Sequence, residues 1–210
     1  YEGTPEWMQA PNGTPTKLSE RQWVQVRTPS FKEWFGDWEN NPKGASKVVD
    51  ENGEPLVVYH GTDAIFDSFS PEKSGTGAKT GAPEGSAFFT DKPDVAGSYT
   101  VEYQGDFSVR YKTGATVMPV FLDIKNPIKV NAKGANWNDI AHKGEYVTTN
   151  DLAAIALDSP KADGVAVIKI RDKGRGDTES KTSNVYITTD PTQIKSATAN
   201  AGAFDGANPN

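Results

Sequence analysis

Two histidines, no cysteine and a small set of aromatic residues limit what this chain can do chemically. Without a thiol there is no disulfide, no thiolate metal site and no cysteine nucleophile. A metal would need carboxylates together with His60 and His142. His142 stands among polar neighbours in Ala141-His142-Lys143-Gly144 and reads as a surface loop residue. His60 has a different context. It ends the apolar run Leu56-Val57-Val58-Tyr59 and precedes Gly61, where a missing side chain lets a ligand approach the main chain. Two readings stay open for it: a satisfied histidine at a strand end, or a group that holds a ligand. Phe88, Phe89 and Tyr99 flank a turn through Thr90-Asp91-Lys92-Pro93, and with Tyr59 they can wall a slot for a planar ring, although each alone suits a core equally well.

The elements that must position these residues follow from the patterning. Tyr1–Lys17 is rich in Pro, Gly and Thr and reads as a linker. Ser19 can cap a short helix carrying Trp23, and Pro29 opens a second with Phe31, Trp34, Phe35 and Trp38 at helical spacing. This predicts an aromatic helical brace over residues 18–40, packed on a sheet. Ser46–Asp50 and Pro55–His60 flank an Asn52-Gly53 turn, a strong hairpin signal. The glycine-rich stretch from Pro71 to Ser86 reads as a surface loop. Ala87–Phe89, Val117–Lys125, Ile128–Val130, Val165–Ile170 and Val185–Thr188 read as strands. Helices are expected over Pro93–Val101, with Asp91 available as cap, and over Asp151–Leu157, with Thr149 or Asn150 as cap. Strands outnumber long helices, so we expect an α+β domain with a split mixed or antiparallel β-sheet and short peripheral helices, ending in a tail at 206–210.

Composition narrows the function classes. The 210 residues carry 22 Lys+Arg against 28 Asp+Glu, a formal charge of −6, which argues against a domain that binds nucleic acid over its whole surface. The longest apolar runs, Val117–Leu122 and Leu152–Leu157, are far shorter than the roughly 18 residues of a membrane span. There is no phosphate-binding G-x-x-x-x-G-K-[ST], no G-x-G-x-x-G opening a helix, no H-E-x-x-H and no G-x-S-x-G. Tyr1 stands where a start methionine would, and we read the chain as a piece of a longer or processed polypeptide.

Tyr59-His60-Gly61-Thr62, then Phe66-Asp67-Ser68-Phe69, then Ser86-Ala87-Phe88-Phe89-Thr90-Asp91 with Tyr99 beyond, resembles the NAD-binding core of ADP-ribosyltransferases of the diphtheria-toxin and poly-ADP-ribose-polymerase type. Leu18-Ser19-Glu20-Arg21-Gln22-Trp23, Phe31-Lys32-Glu33-Trp34-Phe35-Gly36-Asp37-Trp38, Asp50-Glu51-Asn52-Gly53-Glu54-Pro55 and Asp190-Pro191-Thr192-Gln193-Ile194-Lys195-Ser196-Ala197 are similar to such domains in phage polyvalent proteins and bacterial polymorphic toxins. The resemblance spans about residues 18–205.

It implies NAD as substrate, without a metal. Tyr59, His60, Gly61, Thr62, Phe88, Phe89 and Tyr99 would form its site: His60 would hold the nicotinamide-side ribose, the Gly61 main chain would pair with the carboxamide, and Phe88 and Tyr99 would sandwich the ring. A serine common in the family three residues before the second tyrosine is Ala96 here. The glutamate that usually opens the final strand is Val185, next to Asn184, and Gln193 is the candidate for its role, with His60 and Tyr99 as the other catalytic positions. Glu145-Tyr146-Val147 mimics the glutamate motif, but in the wrong chain order. Either the enzyme works without that glutamate, or this copy is inactive.

Cleaving the bond to nicotinamide builds positive charge on ribose, and nicotinamide leaves from an already cationic ring, so positioning and electrostatics suffice and no strong general acid is required. In the family, the loop before the last strand recognises the acceptor. Here Lys169, Arg171, Lys173 and Arg175 cluster in it, suiting either a solvated hairpin or contact with an anionic surface, protein or structured RNA. The expectation is a mono-ADP-ribosyltransferase toxin domain, secreted or delivered into the target-cell cytoplasm and neutralised in the producer by an immunity protein. A NAD glycohydrolase and a non-catalytic binding module of a phage polyvalent protein are the alternatives.

Overall fold

The computed structural model of the chain describes residues 2–62, 81–103, 108–111, 113–172, 174 and 181–198. Phe66–Phe69, Lys173, Arg175 and the 206–210 tail, all singled out in the sequence, lie outside the described residues.

The brace forms because its ends are capped and its apolar side chains share one face. In α1 (Glu20–Gln25), Ser19 and Gln22 make a reciprocal capping box. In α2 (Pro29–Phe35), the Thr28 side chain accepts from the Phe31 N–H, and Pro29 sits where no intrahelical donor is needed. Phe31 and Phe35 are fully buried. Arg27 sits 3.8 Å above the Trp23 ring, pairs with buried Glu54 at 3.0 Å, and donates to the Gln9 and Trp23 carbonyls. The Trp23 indole also donates to Gln9, and Ala10 is buried. The Pro/Gly/Thr-rich leader therefore lies against the brace rather than apart from it.

Seven strands make the main sheet. They are β1 (Val58–Thr62), β2 (Ala87–Thr90), β5 (Thr116–Leu122), β6 (Pro127–Asn131), β9 (Gly164–Arg171), β10 (Thr182–Thr188) and β11 (Ile194–Ser196). Their order is β11-β5-β1-β2-β10-β9-β6, and the described pairs are antiparallel except β6 with β9. Two short hairpins, β3 (Val101–Tyr103) with β4 (Val109–Tyr111) and β7 (Ile140–His142) with β8 (Glu145–Val147), stand beside it. Alternation divides the core. Val58, Phe89, Val120, Leu122 and Tyr186 pack on one face, and Val165, Val167, Val185 and Ile187 pack on the other, beneath Leu152, Ala153 and Ala156 of α4 (Thr149–Leu157). This is the expected α+β class with a mixed, mostly antiparallel sheet.

Several local expectations need correction. Helix α3 spans only Pro93–Gly97, and the chain turns there into β3. Asp91 does not cap α3, because its two carboxylate oxygens accept the main-chain and side-chain N–H groups of Asn184. Thr148, not Thr149 or Asn150, caps α4 in a box with Asp151. His142 and Glu145 belong to the β7–β8 hairpin rather than to loops. The strand expected before Asn52-Gly53 reduces to a single bridge, Val49 with Pro55, since the main strand starts only at Val58.

Candidate active site

The sheet opens between β1 and β2, and the register says how. Ala197 donates to the Pro119 carbonyl at 3.0 Å, so Pro119 of β5 turns its main chain toward β11. Successive residues face alternate sides, so Met118 and Val120 turn toward β1, where they meet His60 and Val58. Tyr59 and Gly61 must then present their N–H and C=O groups to the β2 side. There Tyr59 meets Thr90, and among the described residues no other β1–β2 register pair is formed. Gly61 therefore aims a donor and an acceptor into the mouth of a diverging ladder. Helix α3 crosses β1 so tightly that a Cβ at Gly61 would lie 1.8 Å from the Ala96 carbonyl oxygen. The glycine is demanded by this crossing as well as leaving the main chain open.

His60 closes the throat of the split. Its Nδ1 lies 2.8 Å from the Phe88 carbonyl, and since a carbonyl only accepts, Nδ1 carries the proton and Nε2 is the acceptor of the neutral ring. Burial holds its pKa below the ordinary histidine value, partly offset by that carbonyl. Its ring centroid is 5.5 Å from that of Phe89, which is buried in the core. Phe88 lies half-buried on the opposite face, the face that α3 crosses. Thr62 ends β1 and is buried.

Tyr99 follows α3 in a turn and keeps 43% of its surface exposed. Its hydroxyl donates to Asp172 Oδ1 at 2.5 Å, and desolvation of the hydroxyl end together with the Asp172 charge pushes its pKa up. The next residue but one, Gly174, donates to Ser98 Oγ at 2.7 Å. The loop leaving β9 is thus fastened to the turn that carries Tyr99. Asp172, Ser98 and Gly174 were not singled out in the sequence; the available signals were an acid inside a basic run and the glycine after Lys173.

Beside Tyr59 a cavity of about 490 Å³ is bordered by Asp91, Asn184, Tyr186 and Lys17. Desolvation raises the Asp91 carboxyl above the usual range and, with the Asp91 charge, pushes Tyr186 up to about 12.

One expected catalytic residue, Gln193, is placed outside the split, and Val185 holds the position read as the missing glutamate's. Gln193 is buried with its whole amide engaged: Oε1 accepts from the main chain of Thr189 and Asp190, and Nε2 donates to the Asp123 and Asp163 carbonyls. It fastens the chain between β10 and β11 and cannot stand in for a glutamate. Val185 is buried in the core beneath α4, opposite Thr90 and Val167. Of the basic cluster expected in a loop, Lys169 and Arg171 belong instead to β9, Lys169 with a left-handed φ of 56° and Arg171 ending the strand with its side chain exposed. Among the described residues no group of three or more His, Asp or Glu is placed to hold a metal, and no helix is long and apolar enough to cross a membrane.

A family model described as ADP-ribosyltransferase in polyvalent proteins matches residues 50–204. The chain belongs to that family. The match covers the split, the Tyr99 turn and the β9–β10 loop, and the mixed sheet is consistent with such a fold. No curated protein and no solved structure matches the chain.

Proposed function

We propose that this ADP-ribosyltransferase domain transfers a single ADP-ribose unit from NAD to a macromolecular acceptor and releases nicotinamide. The observation that carries the reading is the split between β1 and β2, where Gly61 offers an N–H and a C=O side by side. That pair complements a carboxamide, which has one acceptor and one donor edge. In this reading Phe88 and Tyr99 bound the nicotinamide ring from the face that α3 covers. The neutral His60 Nε2 accepts from a ribose hydroxyl, and Tyr59 and Thr62 line the approach. These residues orient and desolvate the bond that breaks, while NAD supplies its own cationic leaving group. Lys169 and Arg171, with Lys173 and Arg175 following them in sequence, supply the basic charge that meets the acceptor, protein or RNA. The domain acts as a delivered toxin in the cytoplasm of a target cell, with an immunity protein in the producer.

Val185 favours a second reading, a binding module that kept the fold and lost the chemistry, because no carboxylate stands at that position. Incubating the chain with tagged NAD and a cell lysate separates the readings. Transfer predicts a labelled macromolecule plus free nicotinamide, and loss of both in His60→Ala. Nicotinamide without label indicates hydrolysis. Neither product, with no heat of NAD binding, sinks the enzymatic reading. Digesting the labelled product with protease or nuclease assigns the acceptor class, and Lys169→Gly with Arg171→Ala is expected to cut labelling, with the remaining nicotinamide release matched by free ADP-ribose formed with water.

A further inference from the structure

We propose that Asp172 is the positioning residue of Tyr99, so that the residues just after β9 set the orientation of one wall of the nicotinamide slot. The proposal rests on reading the β1–β2 split as the NAD site. Tyr99 needs such a group. It follows the last turn of a five-residue helix and stays 43% exposed, so packing alone does not hold its ring at one angle. What holds it is a hydroxyl-to-carboxylate bond of 2.5 Å to Asp172, a charge-assisted contact that is stronger and more directional than a neutral one.

The anchoring is not confined to one bond. Gly174 approaches the same turn so closely that a Cβ there would lie 2.3 Å from the Ser98 carbonyl oxygen and 2.5 Å from the Tyr99 nitrogen, and its N–H donates to Ser98 Oγ. Ser98 Oγ in turn donates to the Val95 carbonyl at 2.6 Å, carrying the link into α3. Lys181, just before β10, reaches Asp94 of α3 at 2.8 Å. Asp172, Gly174 and Lys181 are therefore all tied to α3 and its turn. Asp172 also stands between Arg171 and Lys173, an acid within the basic run, with its carboxylate turned onto the tyrosine. An acceptor that engages the neighbouring cations would act on the same segment that steers the ring.

A four-protein cycle tests this: parent, Tyr99→Phe, Asp172→Ala and the double variant, each measured for KM of NAD and kcat of nicotinamide release. Each single change is expected to raise KM about tenfold with kcat within about twofold, which corresponds to losing one hydrogen bond to a charged group. The double variant should be no worse than either single change. Asp172→Asn, whose amide oxygen still accepts the hydroxyl, should recover most of the loss. An Asp172→Ala effect that persists at full size in the Tyr99→Phe background overturns the proposal, as does an unchanged KM. Thermal unfolding of the same four proteins supplies a reading that does not need NAD: non-additive shifts support the bond, and additive ones refute it. If the parent neither binds nor cleaves NAD, the site reading itself fails, and that outcome is distinct from a failed cycle in an active parent.

Discussion

The aromatic brace and the β1–β2 split use similar residue types to opposite ends. In the brace every indole nitrogen is closed off within the protein: Trp23 donates to Gln9, Trp34 to Thr192 and Trp38 to Val26. Phe31 meets Phe121 edge-on at 5.2 Å and keeps no exposed surface. In the split, Gly61 turns its main-chain groups toward a gap, and Tyr99 stands half in solvent, held by its hydroxyl. A binding region is distinguished from a core by where its polar atoms point, more than by which side chains it contains.

The largest test strikes the brace. Phe31→Ala should cost about 4 kcal/mol, as large-to-small changes at fully buried phenylalanines do, and lower Tm by about 12 °C. NAD affinity of the folded protein, measured well below the transition by calorimetry, should be unchanged. An affinity collapse with an intact Tm would show that the brace is part of the site. Gly61→Ala is next. The added methyl meets the Ala96 carbonyl, so strain of about 3 kcal/mol is expected. Here, in contrast to Phe31→Ala, NAD binding should disappear even where circular dichroism shows a folded chain.

The brace was readable because helix spacing and capping are local. Ser19 and Pro29 each occupy the predicted place, and the aromatic stripe needs only its own sequence to be seen. The main strands were legible from apolar runs for the same reason. What escaped was decided by tertiary pairing: β11 and the β7–β8 hairpin are three-residue strands too short to show a period, and Asp91 was drawn from its expected cap to Asn184, 93 residues away. Within the proposed site, His60, Gly61, Phe88 and Tyr99 are read from their motif. Asp172 was not, because its meaning lies in a contact 73 residues distant. Gln193 is the instructive failure, since a glutamine in a family-like position looked available until its four hydrogen bonds were seen. Gln193→Leu should therefore cost about 2 kcal/mol through unsatisfied buried main-chain groups, with kcat for nicotinamide release unchanged within about twofold at a temperature where the variant is folded. A large fall in kcat with native stability would return Gln193 to the site.

The smallest effect sharpens the contrast through pH. Burial disfavours the charged form of His60, so its folded-state pKa lies below the ordinary value of about 6.5, and the unfolded chain binds the proton more readily. Its contribution to stability is then fully present above about pH 6.5 and is lost as pH falls through that value toward the folded pKa. Asp91, raised by burial, acts with the opposite sign at lower pH, favouring the fold when protonated, so the His60 term must be isolated by substitution. His60→Gln removes the titration and keeps a donor for the Phe88 carbonyl. Between about pH 7.5 and pH 5 the parent should lose more stability than this variant in urea unfolding. Protonation also removes the Nε2 acceptor, so NAD affinity of the parent should weaken over the same interval. A parent whose stability is flat across that interval, or a His60→Gln variant that falls as steeply, would mean that the imidazole is solvated and takes up its proton as readily as a surface histidine. The throat of the split would then be as wet as its rim, and the distinction between a closed brace and a selectively opened sheet would lose its chemical basis.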